Sequence, residues 1–170
     1  MENDIVIYTD GSCSGNPGPG GFGVIELSSC LRETYSSYIE SYSLNYEYSE
    51  RCEDTTNNRE ELKAILHVLK LAAAHPEEGY IIYSDSAYAV NSINDWIRGW
   101  AANGWVNSRK VTVENVDLMQ EIHKYIDLDN YLIRKIRGHD GELGNELADA
   151  AATGNNRKRD ELIDKFNILV

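Results

Sequence analysis

Two aspartates follow directly on segments that the sequence predicts to be β-strands. Asp10 comes after the β-branched run Ile5–Thr9, and Asp85 comes after the apolar run Tyr80–Ser84. In open α/β sheets, ligands bind at the carboxyl ends of the parallel strands. If the first and fourth strands of the chain are neighbours, the two carboxylates lie close together at that edge.

Two further acids belong to predicted helices that can reach the same edge. Glu61 falls in the first turn of a helix predicted over Asn58–Ala74, where the helix dipole favours a negative charge. Asp149 lies on a predicted closing helix, two residues after Leu147. Carboxylates that converge raise one another's pKa unless a cation lies between them, and hard oxygen ligands of this kind suit Mg²⁺.

The chemistry that such a cluster predicts is phosphodiester cleavage. Two Mg²⁺ ions about 3.5–4 Å apart can activate a water and stabilise the departing oxygen in an in-line displacement at phosphorus. His139, in a glycine-flanked loop ten residues before Asp149, is able to move a proton near neutral pH.

Each of these residues, taken alone, also has a structural interpretation. We expect a turn at Asp10–Ser12, since an Asp before Gly at a strand end is commonly a turn residue. Asp85 before Ser86 fits the start of a helix, and Glu61 beside Glu60 fits ordinary helix-start charge. Asp149 fits a solvated helix residue, and His139 fits a residue of a surface loop. Spacing alone leaves these alternatives open.

The pattern of hydrophobic residues predicts an α/β fold. The predicted strands are Ile5–Thr9, Gly23–Leu27, Tyr42–Tyr48, Tyr80–Ser84 and Tyr131–Ile136. The predicted helices are Asn58–Ala74, Tyr88–Trp100, Leu118–Tyr125 and Leu147–Ala152. Strands alternate with helices in the second half, so we expect a mixed five-stranded sheet, with an antiparallel three-strand meander and parallel strands, flanked by helices.

Composition is compatible with one soluble domain. The chain has 170 residues, and its three cysteines have neither metal-type spacing nor the even number of a disulfide framework. We expect a monomer in the cytoplasm without a membrane segment. Residues 1–154 are expected to form the catalytic domain, and a docked helix is one expectation for the C-terminal extension, 155–170. The net charge of −12, taken alone, argues against nucleic-acid binding, which depends on Lys and Arg contacts.

The flanking sequence resembles the type 1 ribonuclease H family of bacteria. The matching blocks are Tyr8–Cys13, Gly15–Gly21, Thr55–Leu62, Ser84–Ser86, Trp96–Trp105, Asn115–Leu118, Gly138–His139 and Asn145–Asp149. They occur in the order of the family and cover roughly residues 4–152. One block is weakly specific, whereas the ordered series is strongly specific. The resemblance implies a ribonuclease H-like fold.

The resemblance also implies the activity and the roles of the residues. It implies hydrolysis of the RNA strand of RNA–DNA hybrids, with two Mg²⁺ ions for which Mn²⁺ can substitute, leaving 5′-phosphate and 3′-hydroxyl ends. The positions that match the metal-binding acids of the family are Asp10, Glu61, Asp85 and Asp149. His139 matches a mobile histidine that assists proton transfer or product release. The positions that match substrate contacts are Cys13, Asn16, Thr56, Asn57 and Asn58.

The chain departs from the family at several points. The segment that matches the basic protrusion holds only Arg109 and Lys110, opposed by Glu114, and Ala87 replaces a hybrid-contacting glutamine. Two segments have no counterpart, the Ser28–Glu53 insertion and the tail beyond Gly154. The alternatives are a non-catalytic module that binds hybrids or double-stranded RNA, another nuclease of the same fold such as a resolvase or integrase, and an enzyme that does not act on nucleic acid. The four acids argue against a pure binding module.

Overall fold

A five-stranded mixed sheet forms the centre of the protein in a computed structural model that describes residues 4–138 and 142–170. The strands are β1 (Ile5–Cys13), β2 (Gly18–Glu33), β3 (Tyr38–Thr55), β4 (Tyr80–Ser84) and β5 (Tyr131–Lys135). Their order across the sheet is β3-β2-β1-β4-β5. β1–β2 and β2–β3 pair antiparallel, and β1–β4 and β4–β5 pair parallel. The expected meander and parallel strands are therefore confirmed.

Helices cover both faces of this sheet. They are α1 (Asn57–Ala74), α2 (Ala87–Asn91), α3 (Ile97–Ala102), α4 (Val116–His123), α5 (Leu143–Thr153) and α6 (Asn156–Lys165). One core cluster joins Ile7 and Ile82 of the sheet to Leu62 of α1 and Met119 of α4. A second cluster, which includes Ile25 of β2 and Leu147 of α5, lies apart from it. Fully burying each such side chain contributes about 1.5–3 kcal/mol, so the two clusters hold the helices onto the sheet.

The first strand is longer than expected, and the expected turn at Asp10–Ser12 is wrong. β1 continues through these residues because they pair with β2, Asp10 opposite Gly23 and Cys13 opposite Gly20. Gly23 also lets α5 lie close to β2, since a Cβ at Gly23 would lie 2.6 Å from the Ala148 carbonyl oxygen. The helical stretch expected over 88–100 is likewise divided, by a π-helical turn at Ser92–Trp96.

The Ser28–Glu53 insertion extends the β2–β3 hairpin. Its strands pair as far as Glu33 and Tyr38, and the amide of Thr34 donates to the carbonyl of Ser37 across the turn, at 2.7 Å.

The chain beyond residue 154 packs on the same side of the molecule as α5. α6 is followed by Ile168, whose side chain is buried in the second core cluster. The Leu169 amide donates to the Tyr42 carbonyl at 2.9 Å, and the Leu44 amide donates to the Leu169 carbonyl at 2.7 Å. The tail is thus fastened to β3 by backbone hydrogen bonds.

None of the helices within 4–138 and 142–170 has both the length and the apolarity that crossing a membrane requires.

Candidate active site

Three acidic side chains meet at the carboxyl end of the parallel strands. Asp10 and Asp85 each follow the last residues that pair β1 with β4, Thr9 and Ser84. Glu61 reaches the same place from the first turn and a half of α1. One carboxylate oxygen of each acid lies within 4.8 Å of the other two. Asp10 and Glu61 are each only 7% exposed, so this is a buried cluster of like charges.

A glycine brings α1 close to β1 at this point. A Cβ added to Gly11 would lie 2.2 Å from the backbone nitrogen of Glu61, so close that one of the two backbones would have to shift. The helix start is fixed by Thr56, whose hydroxyl accepts a hydrogen bond from the Arg59 amide at 3.3 Å. An N-cap of this kind stabilises a helix by about 1 kcal/mol. The local sequence therefore sets both the start of α1 and its distance from Asp10.

Burial and mutual repulsion raise the pKa values of the cluster. Burial, followed by the charges of Asp85 and Asp149, raises the pKa of Asp10 from 3.8 to about 8. Burial, followed by the charges of Asp10 and Asp85, raises the pKa of Glu61 well above its ordinary value. Without a counter-ion, the cluster is therefore costly in its ionised form.

The donor set fits a divalent cation. All three groups offer carboxylate oxygens, which are the ligands preferred by Mg²⁺. The Oε2 atom of Glu61 is buried and has no hydrogen-bond partner among the described residues. A buried acceptor without a donor is unfavourable, and a cation at this position would satisfy it. The cluster could therefore hold a metal ion.

The fourth predicted acid borders this cluster. Asp149 on α5 lies close enough for its charge to raise the pKa of Asp10. Its Oδ2 accepts a hydrogen bond from Nζ of Lys158, at 2.7 Å. The structure thus brings three of the four acids into one group and places the fourth beside Asp10, paired with a lysine. No motif or spacing in the sequence points to Lys158. His139 lies outside the described residues.

Four of the five predicted substrate contacts line one polar cavity of about 430 Å³. The lining residues are Asn16, Thr56, Asn57, Asn58, Glu114 and Asn115. The Oδ1 atom of Asn16 accepts a hydrogen bond from the Asn57 amide at 3.0 Å, which ties the β1–β2 turn to the start of α1. Cys13, the fifth residue, lies next to this loop, and its thiol donates to the Thr55 carbonyl at 3.2 Å.

Sequence reasoning missed two residues of this cavity, Glu114 and Asn115. Asn115 has a left-handed backbone, with φ of 55°, and its side-chain amide donates from Nδ2 to the Tyr88 hydroxyl at 2.9 Å. Arg59 of α1 donates to its Oδ1 at 3.4 Å. The Asn115–Leu118 block was the available signal, but its backbone geometry and tertiary contacts are not encoded in local spacing. Glu114 brings a negative charge into the cavity.

Comparison with known proteins gives a consistent result. The protein-family model for RNase H matches residues 2–157. A ribonuclease H of Caldicellulosiruptor saccharolyticus is 39% identical over 150 residues, covering 88% of this chain and 93% of the relative. A ribonuclease H of Francisella tularensis subsp. novicida is 38% identical over 165 residues, covering 96% of each chain.

Solved structures agree with these relatives. LC9-RNase H1, described as a type 1 RNase H with the type 2 active-site motif, is 29% identical, with a TM-score of 0.65 over 88% of this chain and 70% of that chain. The PFV RNase H domain, at 24% identity and a TM-score of 0.70 over 94% and 96% of the two chains, shares the fold. The chain therefore belongs to the ribonuclease H family of endoribonucleases.

Proposed function

We propose that the protein hydrolyses the RNA strand of RNA–DNA hybrids by two-metal-ion catalysis, largely independently of sequence. The observation that carries the proposal is the buried group of Asp10, Glu61 and Asp85, at the sheet edge formed by β1 and β4. A module that only binds nucleic acid gains nothing from clustered carboxylates beside phosphate, because they repel it. The products are a 5′-phosphate and a 3′-hydroxyl.

The acids act by holding Mg²⁺, for which Mn²⁺ can substitute. Asp10, Glu61, Asp85 and Asp149 supply the oxygen ligands. When bound there, the ions would supply an activated water and stabilise the leaving oxygen at phosphorus. His139 moves a proton near neutral pH during the reaction or the release of product.

The polar cavity accounts for selectivity. Asn57 and Asn58 can donate to and accept from a 2′-hydroxyl, the group that distinguishes RNA from DNA. Asn16 and Thr56 contact a phosphate of the DNA strand, with Cys13 beside them. Contacts of this kind read backbone and sugar rather than bases, so cleavage does not follow a base sequence.

The direct test uses labelled RNA–DNA hybrid, duplex DNA and duplex RNA, with Mg²⁺ and with EDTA. We expect Mg²⁺-dependent cleavage of the RNA strand in the hybrid alone, with 3′-hydroxyl ends that a poly(A) polymerase can extend. Tight binding of hybrid or of double-stranded RNA without cleavage would favour the non-catalytic alternative. Cleavage of duplex DNA would favour another nuclease of this fold.

Binding of Mg²⁺ is expected to release protons below about pH 8. The buried Asp10, with its pKa raised to about 8, keeps a proton near neutral pH that a cation must displace. The affinity for Mg²⁺ should therefore rise with pH and level off about one unit above that pKa. Calorimetry in two buffers of different ionisation enthalpy measures the protons released. Equal heats in both buffers at about pH 6.5 would contradict the expectation.

The variant Glu114→Lys is expected to tighten binding of the hybrid. Glu114 lines the cavity of Asn16, Asn57 and Asn115, where its charge repels a phosphate. Reversing the charge should strengthen binding about fivefold at about 0.1 M salt. The slope of log affinity against log salt concentration should steepen by the amount that about one phosphate contact contributes. Fluorescence anisotropy in EDTA, across a salt series, measures both quantities. Glu33→Lys, an equal charge change at the end of β2, is the control. An effect of the same size in both variants would remove Glu114 from the binding surface.

A further inference from the structure

An ion pair from the C-terminal helix reaches the edge of the candidate metal site. Nζ of Lys158 lies 2.7 Å from Oδ2 of Asp149 and 2.6 Å from Oε2 of Glu146. The three side chains are only 23–26% exposed. Asp149 is the acid that stands beside Asp10, outside the group of three. A cationic side chain thus occupies one oxygen of a carboxylate that the proposed function assigns to a metal ion.

The position of Lys158 is fixed from several directions. Asn155 caps α6 by accepting a hydrogen bond from the Lys158 amide at 3.0 Å. Arg159, the next residue, forms two hydrogen bonds with the Glu47 carboxylate of β3, at 2.6 and 2.7 Å. Beyond the helix, Leu169 pairs with β3 through its backbone. The contacts of Arg159 and Leu169 with β3 therefore hold α6 where the ammonium group of Lys158 meets Asp149.

We propose that Lys158 is a positioning residue that competes with a divalent cation for Asp149 and so sets the affinity of the site for that cation. The proposal rests on the proposed function, because it assumes that Asp149 is a metal ligand. Two effects act in the same direction. The ammonium occupies Oδ2 of Asp149, and its positive charge repels a dication bound by the neighbouring oxygen.

The alternative is that the ion pair only fastens α6 to α5. A fastening contact predicts lower stability when Lys158 is removed, with no change in the affinity for cations. Competition predicts a gain in affinity as well. The two roles are therefore separated by measuring binding of the metal ion alone, without substrate.

The test is calorimetric titration of the full chain with MgCl₂ at low salt, above the pKa of Asp10. We expect Lys158→Met to bind Mg²⁺ about tenfold more tightly than the wild type. Lys158→Gln keeps a hydrogen-bond donor without the charge and should also bind Mg²⁺ more tightly than the wild type. It replaces Lys158→Met in the test if that variant folds poorly. Lys158→Arg keeps the charge and should restore the wild-type affinity.

Arg157→Met is the matched control for net charge. Arg157 precedes Lys158 on the same helix but pairs with the exposed Glu161, at 2.9 Å, so its loss should leave the affinity for Mg²⁺ unchanged. Equal affinity in Lys158→Gln and Arg157→Met, or weaker binding in the former, overturns the role of Lys158. If the wild type neither binds Mg²⁺ nor cuts a hybrid, the proposed function fails as well. If the wild type binds Mg²⁺ and cuts a hybrid while Lys158→Gln binds Mg²⁺ no more tightly, only the competing role of Lys158 fails.

Discussion

Asp10→Asn is expected to abolish cleavage of an RNA–DNA hybrid and, at the same time, to raise the melting temperature of the metal-free protein. The loss of activity follows from the central place of Asp10, which lies within the group that includes Glu61 and Asp85 and also beside Asp149. An amide offers one neutral oxygen in place of a charged carboxylate, and binds a hard cation poorly. We expect the rate to fall by at least about a thousandfold, since metal ions supply most of the charge stabilisation.

The gain in stability follows from the raised pKa of the same residue. In the unfolded chain an aspartate has its ordinary pKa of 3.8, whereas burial and the neighbouring charges raise the pKa of Asp10 in the folded protein to about 8. Between these values the folded protein binds more protons than the unfolded chain, so its stability falls as the pH rises from about 4 to 8. The asparagine removes this cost. We expect a gain on the order of 1–2 kcal/mol near pH 8, or about 2–8 °C in melting temperature.

Two measurements on one preparation check the gain in stability and the loss of activity. Thermal unfolding in EDTA at a series of pH values should show the variant above the wild type near pH 8, with the difference vanishing near pH 4. Cleavage of labelled hybrid in Mg²⁺ should be undetectable. Asp129→Asn, at an exposed position before β5, makes the same chemical change on the surface and should alter neither property. A fully active Asp10→Asn variant would remove this acid from the mechanism.

The antiparallel meander and the parallel pairing of the later strands could be predicted because their causes are local. Hydrophobic runs and turn residues mark the strands, and the helices between the later strands require parallel pairing. The end of β1 could not be predicted in this way. An Asp-Gly pair after five β-branched and aromatic residues is a usual turn, yet here Asp10 continues in the strand because it pairs with Gly23 of β2. That information lies in the partner strand, not in the segment itself.

The candidate site was predictable to a similar degree. The acids could be found from their positions after strands and at a helix start, together with the resemblance of the flanking blocks. The contact between Lys158 and Asp149 could not be found from the sequence, because it depends on the direction that α6 takes after Gly154. Glu114 likewise joins the polar cavity through the fold of a segment that has little regular structure. Charges that act across element boundaries are set by tertiary geometry, which local periodicity does not contain.

Because β1 and α1 lie so close together, we expect Gly11→Ala to lower both the stability and the activity of the protein. A Cβ at this position would lie 2.2 Å from the nitrogen of Glu61, 2.5 Å from the carbonyl carbon of Glu60 and 2.8 Å from the Cα of Glu61. All three atoms belong to the backbone, so no side-chain rotation relieves the clash. Either β1 or the first turn of α1 has to move, which we expect to lower the free energy of unfolding by about 2–4 kcal/mol.

The same movement separates the carboxylates that form the candidate metal site. Whether the helix start moves with Glu61 or β1 moves with Asp10, the distance between these two carboxylates changes. A shift of about 1 Å at a catalytic centre can cost about a hundredfold in rate. Urea denaturation and hybrid cleavage measure the two effects. Gly99→Ala is the matched control, because a Cβ at Gly99 on α3 meets nothing within 4 Å, and alanine in a helix should instead stabilise by about 0.5–1 kcal/mol. If Gly11→Ala matched Gly99→Ala in stability and rate, the close approach of β1 to α1 would not be what holds Glu61 beside Asp10.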